Sequence, residues 1–174
     1  YDYVKLLEYE EDRKCPSVEM CKKIQEYFEV PDNVLRHSGK VAEMALNICQ
    51  YLWDEKGIKL NKRTIIAAGL LHDIAKGKKE HDKVAAKWLR DMGYIEVSKI
   101  VAEHMNLLKV SEIPTEKEVI YLADKLVKED TLVSIDDRFS FKEKLYKNDR
   151  ELLDRIKAKK KQALMIYDLV YKSP

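Results

Sequence analysis

The sequence predicts an all-helical fold, a compact bundle of about six to eight helices, on three observations. Five glycines and four prolines in 174 residues leave little material for the many tight turns of a sandwich or barrel. Apolar residues make up 45% of the chain and charged residues 37%, a mixture that lets apolar helix stripes turn inward beneath solvated charged faces. No segment alternates apolar and polar residues convincingly enough for a strand. The length fits one domain and suffices to close a hydrophobic core.

Residues 1–16 are expected to be a lead-in, a linker or the tail of a preceding domain. They are polar, rich in Tyr and acid, and carry one short amphipathic run from Val4 to Leu7. Residues 17–174 form the expected domain, with a motif core at 32–130 and a helical C-terminal extension at 140–173. Ser17 is placed to N-cap a helix through about Phe28, its hydroxyl accepting from an otherwise unpaired backbone N–H. Pro31 breaks that pattern. Asp32 is then placed to cap a helix to about Glu55, with Leu35, Val41, Ala42, Ala45, Ile48, Cys49 and Leu52 on a buried stripe and Gly57 closing it.

Asn61 is placed to cap a third helix, apolar on nearly all sides from Ile65 to Leu71 and expected to end at Gly77; such a helix belongs at the centre of a bundle. A fourth is expected from about His81 to Met92, stopped by Gly93, and a fifth from about Ile95 to Leu108. Thr115 with Glu118 reads as a capping box for a sixth helix through about Val127. Ser140 with Glu143 reads as another box, opening a helical C-terminal third that breaks near Asn148.

Charge and cysteine content narrow the setting. The net charge is +2, from 33 basic and 31 acidic side chains, which gives no electrostatic case for general nucleic-acid binding. No apolar run approaches the roughly 20 residues of a membrane span, and no secretory signal is read. Cys15, Cys21 and Cys49 form no zinc-type pair, and an odd number cannot be fully paired within the chain. They fit a reducing, cytoplasmic setting as small core-filling side chains. The chain starts at Tyr1 rather than Met, the pattern expected of a piece of something longer, although a trimmed N-terminus would look the same.

The chemistry concentrates on the four histidines, His37, His72, His81 and His104. His72-Asp73 follows the apolar run Ala67-Ala68-Gly69-Leu70-Leu71. Two polar side chains at the end of the most buried helix would cost several kcal/mol if left unpaired. Imidazole and carboxylate together suit Zn, Fe, Mn or Co. A single histidine at a helix end is more often a cap or a satisfied core residue. That reading weakens once His37 stands on the preceding helix and Ala123-Asp124-Lys125 on a later one.

The order His37, His72-Asp73, Asp124, flanked by Leu70-Leu71-His72-Asp73-Ile74-Ala75-Lys76 and Tyr121-Leu122-Ala123-Asp124-Lys125, resembles the H…HD…D signature of the HD-domain superfamily of metal-dependent phosphohydrolases. The resemblance covers about residues 32–130. It implies a helical bundle in which His37, His72, Asp73 and Asp124 ligate one divalent metal. His81 and Glu103-His104 resemble the extra ligands of the dinuclear H…HD…H…H…D branch, which includes the symmetrical diadenosine tetraphosphate hydrolases. There Asp73 would bridge two ions, with His81 and His104 on the second; the alternative is that both are surface or outer histidines.

The resemblance further implies catalysis by metal-activated water at phosphorus. Asp73 is the central catalytic group, and Lys76 contacts substrate phosphate unless it is a solvated lysine. Arg138, after Asp136-Asp137, is a second candidate phosphate contact, with a structural ion pair as the alternative. Lys78 and Lys79 read as a wet basic loop that can attract an anion, and Lys159-Lys160-Lys161 as a solvated helix face. A shorter likeness links Asp2-Tyr3 and the residues to about Pro16 to the end of nucleotidyltransferases of the molybdenum-cofactor type, which some bacterial proteins fuse to an HD domain.

The expected substrate is therefore a small phosphate ester or anhydride, of a nucleotide or dinucleotide. Two other readings stand beside it: a nucleotide-binding regulatory module of a larger fusion with little turnover, and a purely structural metal site with a closed ligand shell.

Overall fold

A computed structural model of the chain describes residues 3–8 and 14–173. Asp2 and residues 9–13, which carry part of the expected lead-in and its nucleotidyltransferase likeness, lie outside the described residues. Helices dominate. They are α1 (Val4–Leu7), α2 (Val18–Tyr27), α3 (Asp32–Lys56), α4 (Lys62–Leu71), α5 (His81–Asp91), α6 (Ile95–Ala102), α7 (Glu116–Lys125), α8 (Ile135–Leu145) and α9 (Arg150–Tyr171). The all-α expectation holds. Its one departure is a two-residue antiparallel ribbon between α7 and α8, β1 (Val127–Lys128) with β2 (Thr131–Leu132), in the register Val127 to Leu132 and Lys128 to Thr131.

Local chemistry explains most boundaries. The Ser17 hydroxyl accepts from the Met20 N–H at 3.1 Å, and the Asn61 carboxamide oxygen accepts from the Thr64 N–H at 3.1 Å. Thr115 and Glu118 form the full capping box. Gly57 ends α3 at φ 66°, where its N–H reaches back to the carbonyls of Leu52 and Trp53.

Four expectations need correction. Pro31 rather than Asp32 precedes α3: its extended ψ of 152° is that of a cap, and its carbonyl takes the N–H groups of Val34 and Leu35. The third helix stops at Leu71, short of Gly77, and residues 72–77 run as consecutive turns. The fifth stops at Ala102, short of Leu108. Finally, Ser134 rather than Ser140 opens α8, accepting from the Asp137 N–H at 3.0 Å; Ser140 lies inside that helix and donates to the Asp137 carbonyl.

The core places α4 at the centre. It packs against α2, α3, α6 and α7, while α9 lies across α7 and α8. Ile65, Ala68 and Leu71 of α4 meet Val41, Ala45 and Ile48 of α3 and Val119 and Leu122 of α7 in one cluster, which also takes in Leu6 and Cys15. All three cysteines are buried, as expected of core fillers. The basic run on α9 is not uniformly solvated: Lys160 pairs with Asp136 and Glu143 at 3.1 Å each, tying α9 to α8.

The α3–α4 contact has a specific requirement. A Cβ on Gly69 would fall 2.7 Å from the Ala42 Cα and 2.9 Å from its Cβ. Backbone cannot yield as a flexible side chain would, so the helices would have to separate. Gly69→Ala is therefore expected to destabilise the fold by about 1–3 kcal/mol, the range for overpacking a core. Urea unfolding checks this, and an unchanged midpoint would contradict it.

Candidate metal centre

The six residues singled out from the sequence come from three helices and two connecting segments, and the fold brings them to one point. His37 sits in the second turn of α3, His72 is the C-cap of α4, and Asp73 opens the turns that follow. His81 is the first residue of α5, His104 lies two residues past the end of α6, and Asp124 is in the last turn of α7.

The early ends of α4 and α6 follow from this convergence. His72 Nδ1 lies 2.7 Å from the Gly69 carbonyl, and His104 Nδ1 lies 2.7 Å from the Val101 carbonyl. The same contact to the residue three positions back thus occurs twice at a helix end. It fixes Nδ1 as the donor to the carbonyl and turns Nε2 inward. His37 makes the equivalent contact at long range, its Nδ1 standing 2.6 Å from the Glu129 carbonyl in the β1–β2 turn. Glu129 occupies the left-handed region at φ 57°, an uncommon conformation for a residue with a side chain. The ribbon absent from the sequence reading thus supplies an orienting acceptor.

Asp73 stands between two sets of donors. Its Oδ2 lies 3.5 Å from His37 Nε2 and 3.3 Å from His72 Nε2, while its Oδ1 lies 3.5 Å from His81 Nε2 and 3.4 Å from His104 Nε2. Asp124 Oδ1 closes the first set, at 3.0 Å from His37 Nε2 and 3.4 Å from His72 Nε2. Most of these separations are long for direct hydrogen bonds, and Nε2 of His72, His81 and His104 is buried without a hydrogen-bond partner. Ligand atoms about 2.1 Å from a shared ion stand roughly 3.0–3.4 Å apart. The donor set therefore fits a divalent cation.

The electrostatics agree. Burial works against the His72 imidazolium, yet the carboxylates of Asp73 and Asp124 outweigh it and raise the pKa to about 10. Burial works against the Asp73 carboxylate as well, but the charge of His72 and the close approach of His104 and His81 hold its pKa well below the ordinary range. Asp124 is likewise held low against burial, first by the Lys125 charge and then by His37 and His72. Desolvation lowers the pKa of His104, favouring the neutral imidazole that ligates metals.

Lys125, present in the sequence only as a motif flank, is part of this centre. Buried along with Asp124, it donates to Asp124 Oδ2 at 2.8 Å and to the His104 carbonyl at 3.0 Å, with its ammonium 4.4 Å from the Tyr121 ring centroid. It ties the α7 and α6 sides of the centre together.

A cavity of about 490 Å³ opens over His37, Asp73 and Asp124, and Lys76, Arg138 and Lys142 also line it. Lys76 Nζ is 4.0 Å from Asp73 Oδ2. Arg138 makes no ion pair shorter than 4 Å among the described residues; its Nε donates to the Val127 carbonyl at 3.2 Å. Lys78 leans toward the Trp88 ring at 6.0 Å, and Lys79 is exposed. A larger hollow of about 910 Å³, lined by Tyr51, Lys56 and Ile113, lacks any such convergence of ligand groups.

A helical bundle closed around a buried histidine–aspartate cluster defines a class of metal-binding helical proteins. The HD domain matches residues 34–128, more than half of the chain, and the chain belongs to the HD-domain family. HD domains are in general metal-dependent phosphohydrolases that bind divalent metal and act on small phosphorylated substrates. No curated protein and no solved structure matches the chain. No helix among the described residues is long and apolar enough to cross a membrane.

Proposed function

We propose that the chain hydrolyses phosphate esters or anhydrides at a dinuclear centre. His37, His72, Asp73 and Asp124 hold one divalent ion, Fe, Mn, Co or Zn, and Asp73, His81 and His104 hold the second. The observation that carries this reading is the division of Asp73, with Oδ2 facing one pair of histidines and Oδ1 the other at 3.3–3.5 Å. Two such ions, when bound, lower the pKa of water and neutralise charge on a phosphoryl group.

The protein's own part is orientation. Carbonyl contacts at Nδ1 keep the Nε2 lone pairs of His37, His72 and His104 aimed at the centre. Lys125 occupies Asp124 Oδ2 and leaves Oδ1 facing inward. Lys76, one turn beyond Asp73 at the cavity mouth, places an ammonium where a substrate phosphoryl oxygen would arrive. The substrate class from the resemblance is a nucleotide or dinucleotide, and the resemblance also favours a fusion in which residues 17–174 are the HD unit beside a nucleotidyltransferase.

Turnover tests the reading. The chain loaded with Mn, Fe or Co should hydrolyse at least one of p-nitrophenyl phosphate, its bis-ester, a nucleotide or diadenosine tetraphosphate, and a chelator should abolish this. No turnover with any metal, together with clear stabilisation by a nucleotide, would instead identify a regulatory binding module.

Metal affinity should depend on pH in a defined direction. With its pKa raised to about 10, His72 carries a proton throughout the neutral range, and a cation must displace it. Affinity at the His37–His72–Asp124 set should therefore rise by about tenfold per pH unit between pH 6 and 9, with about one proton released per ion. Calorimetry in buffers of different ionisation enthalpy checks this; a pH-independent affinity would contradict it.

A further inference from the structure

One part of the cavity wall is cationic. Arg138 and Lys142 lie four residues apart on α8 and both line the cavity, as does Lys76 from the turns after α4. Among the described residues, neither Arg138 nor Lys142 has a carboxylate within 4 Å, whereas Arg36 at the same rim is matched by Asp130 at 3.5 Å. The other cavity acid outside the centre is Glu129, whose carbonyl is used by His37.

Like charges at i and i+4 repel, and a fold gains nothing from aiming them into one cavity. The repulsion is felt: loss of solvent, then the charges of Arg138, Lys76 and Lys125, hold the pKa of Lys142 below that of an ordinary lysine. Such an arrangement suits a polyanion. Two further observations narrow it. No aromatic ring other than the His37 imidazole lines the cavity among the described residues, so it offers no platform on which a nucleobase would stack. And α8 lies beyond residues 34–128, so Arg138 and Lys142 are not part of the matched family segment.

We infer that Arg138 and Lys142 form a subsite for a second phosphate, so that the substrate is a condensed phosphate held by its phosphate chain rather than by a base. This rests on the hydrolase reading above and adds the substrate class. The reaction is then cleavage of a phosphoanhydride. The water oxygen bonds to the phosphorus at the centre, the bridging P–O bond breaks toward the phosphate on Arg138 and Lys142, and the two water hydrogens pass to the products and the buffer.

The test uses the full chain, Mn-loaded and chelator-stripped, with orthophosphate and inorganic tripolyphosphate as probes in calorimetry. In both forms tripolyphosphate should bind at least about tenfold tighter than orthophosphate, as expected from one or two additional charge-assisted contacts. Arg138→Gln with Lys142→Gln should remove most of that preference, and Arg138→Lys with Lys142→Arg should restore part of it. Circular dichroism melts would show that the variants fold. With Mn, inorganic tripolyphosphate, ATP and GTP should be hydrolysed with kcat/KM within about threefold of one another, because no base contact discriminates them. Equal binding of both probes, an unchanged preference in the double glutamine variant, or strong discrimination between ATP and GTP would overturn the inference. Retained tripolyphosphate preference with no turnover under any metal would support the subsite and overturn the hydrolase reading.

Discussion

Asp73→Ala should remove both ions and lower hydrolysis by at least about 10³-fold, more than any other single change at the centre. The reason is geometric. The Asp73 oxygens face all four histidines, His37 and His72 on one side and His81 and His104 on the other, whereas no other side chain of the centre meets both His37 and His81. Removing the carboxylate also removes the largest influence holding a proton on His72, so the remaining imidazoles lose their common counter-charge. The variant should fold, because Asp73 lies in the turns after α4 rather than in the apolar cluster. Added Mn raises the melting temperature of a protein that binds it only when folded, and this increment should vanish in Asp73→Ala. A variant that kept both metal content and activity would remove the basis of the proposed function.

Lys125→Met should be the most destabilising change at the centre. Lys125 and Asp124 are each 4% exposed and share a 2.8 Å contact. Deleting one member of a buried pair costs on the order of 3–5 kcal/mol when the other charge is left alone. Here Asp124 would keep His37 and His72 on its Oδ1 and lose Lys125 from its Oδ2. Three neighbours feel the loss: the Asp124 carboxylate, the His104 carbonyl and the Tyr121 ring. A double variant, Asp124→Asn with Lys125→Met, should recover part of the stability while still failing to hold the first ion. That outcome separates folding from ligation, and a double-mutant cycle by urea unfolding measures the coupling. A Lys125→Met midpoint equal to that of the unaltered chain would show that the ammonium is not needed by the buried carboxylate.

Much of this was readable in the sequence because the signals were local. The caps at Ser17, Asn61 and Thr115 need only a side chain and the next turn of backbone, and all three act as expected. The six converging residues were legible as types in an order. Helix ends at His72 and near His104 were not, since apolar periodicity continues through them and only the carbonyl contacts of the two imidazoles mark the stop. Ser134 and Ser140 each stand three residues before an acidic residue, and sequence alone did not separate them; the β1–β2 ribbon decides by fixing where α8 starts. Lys125 lay in plain view beside Asp124, yet its burial depends on how α7 is rotated against α6. Lys142 became visible only once α8 had a phase that put it beside Arg138 on the cavity wall.

The central claim is that Asp73 joins two ion sites, and counting ions tests it most directly. Elemental analysis of the chain saturated with Mn and freed of excess should give two ions per chain, falling to one in a His81→Ala, His104→Ala double variant with the first set intact. One ion per chain, unchanged by the loss of both histidines, would contradict it.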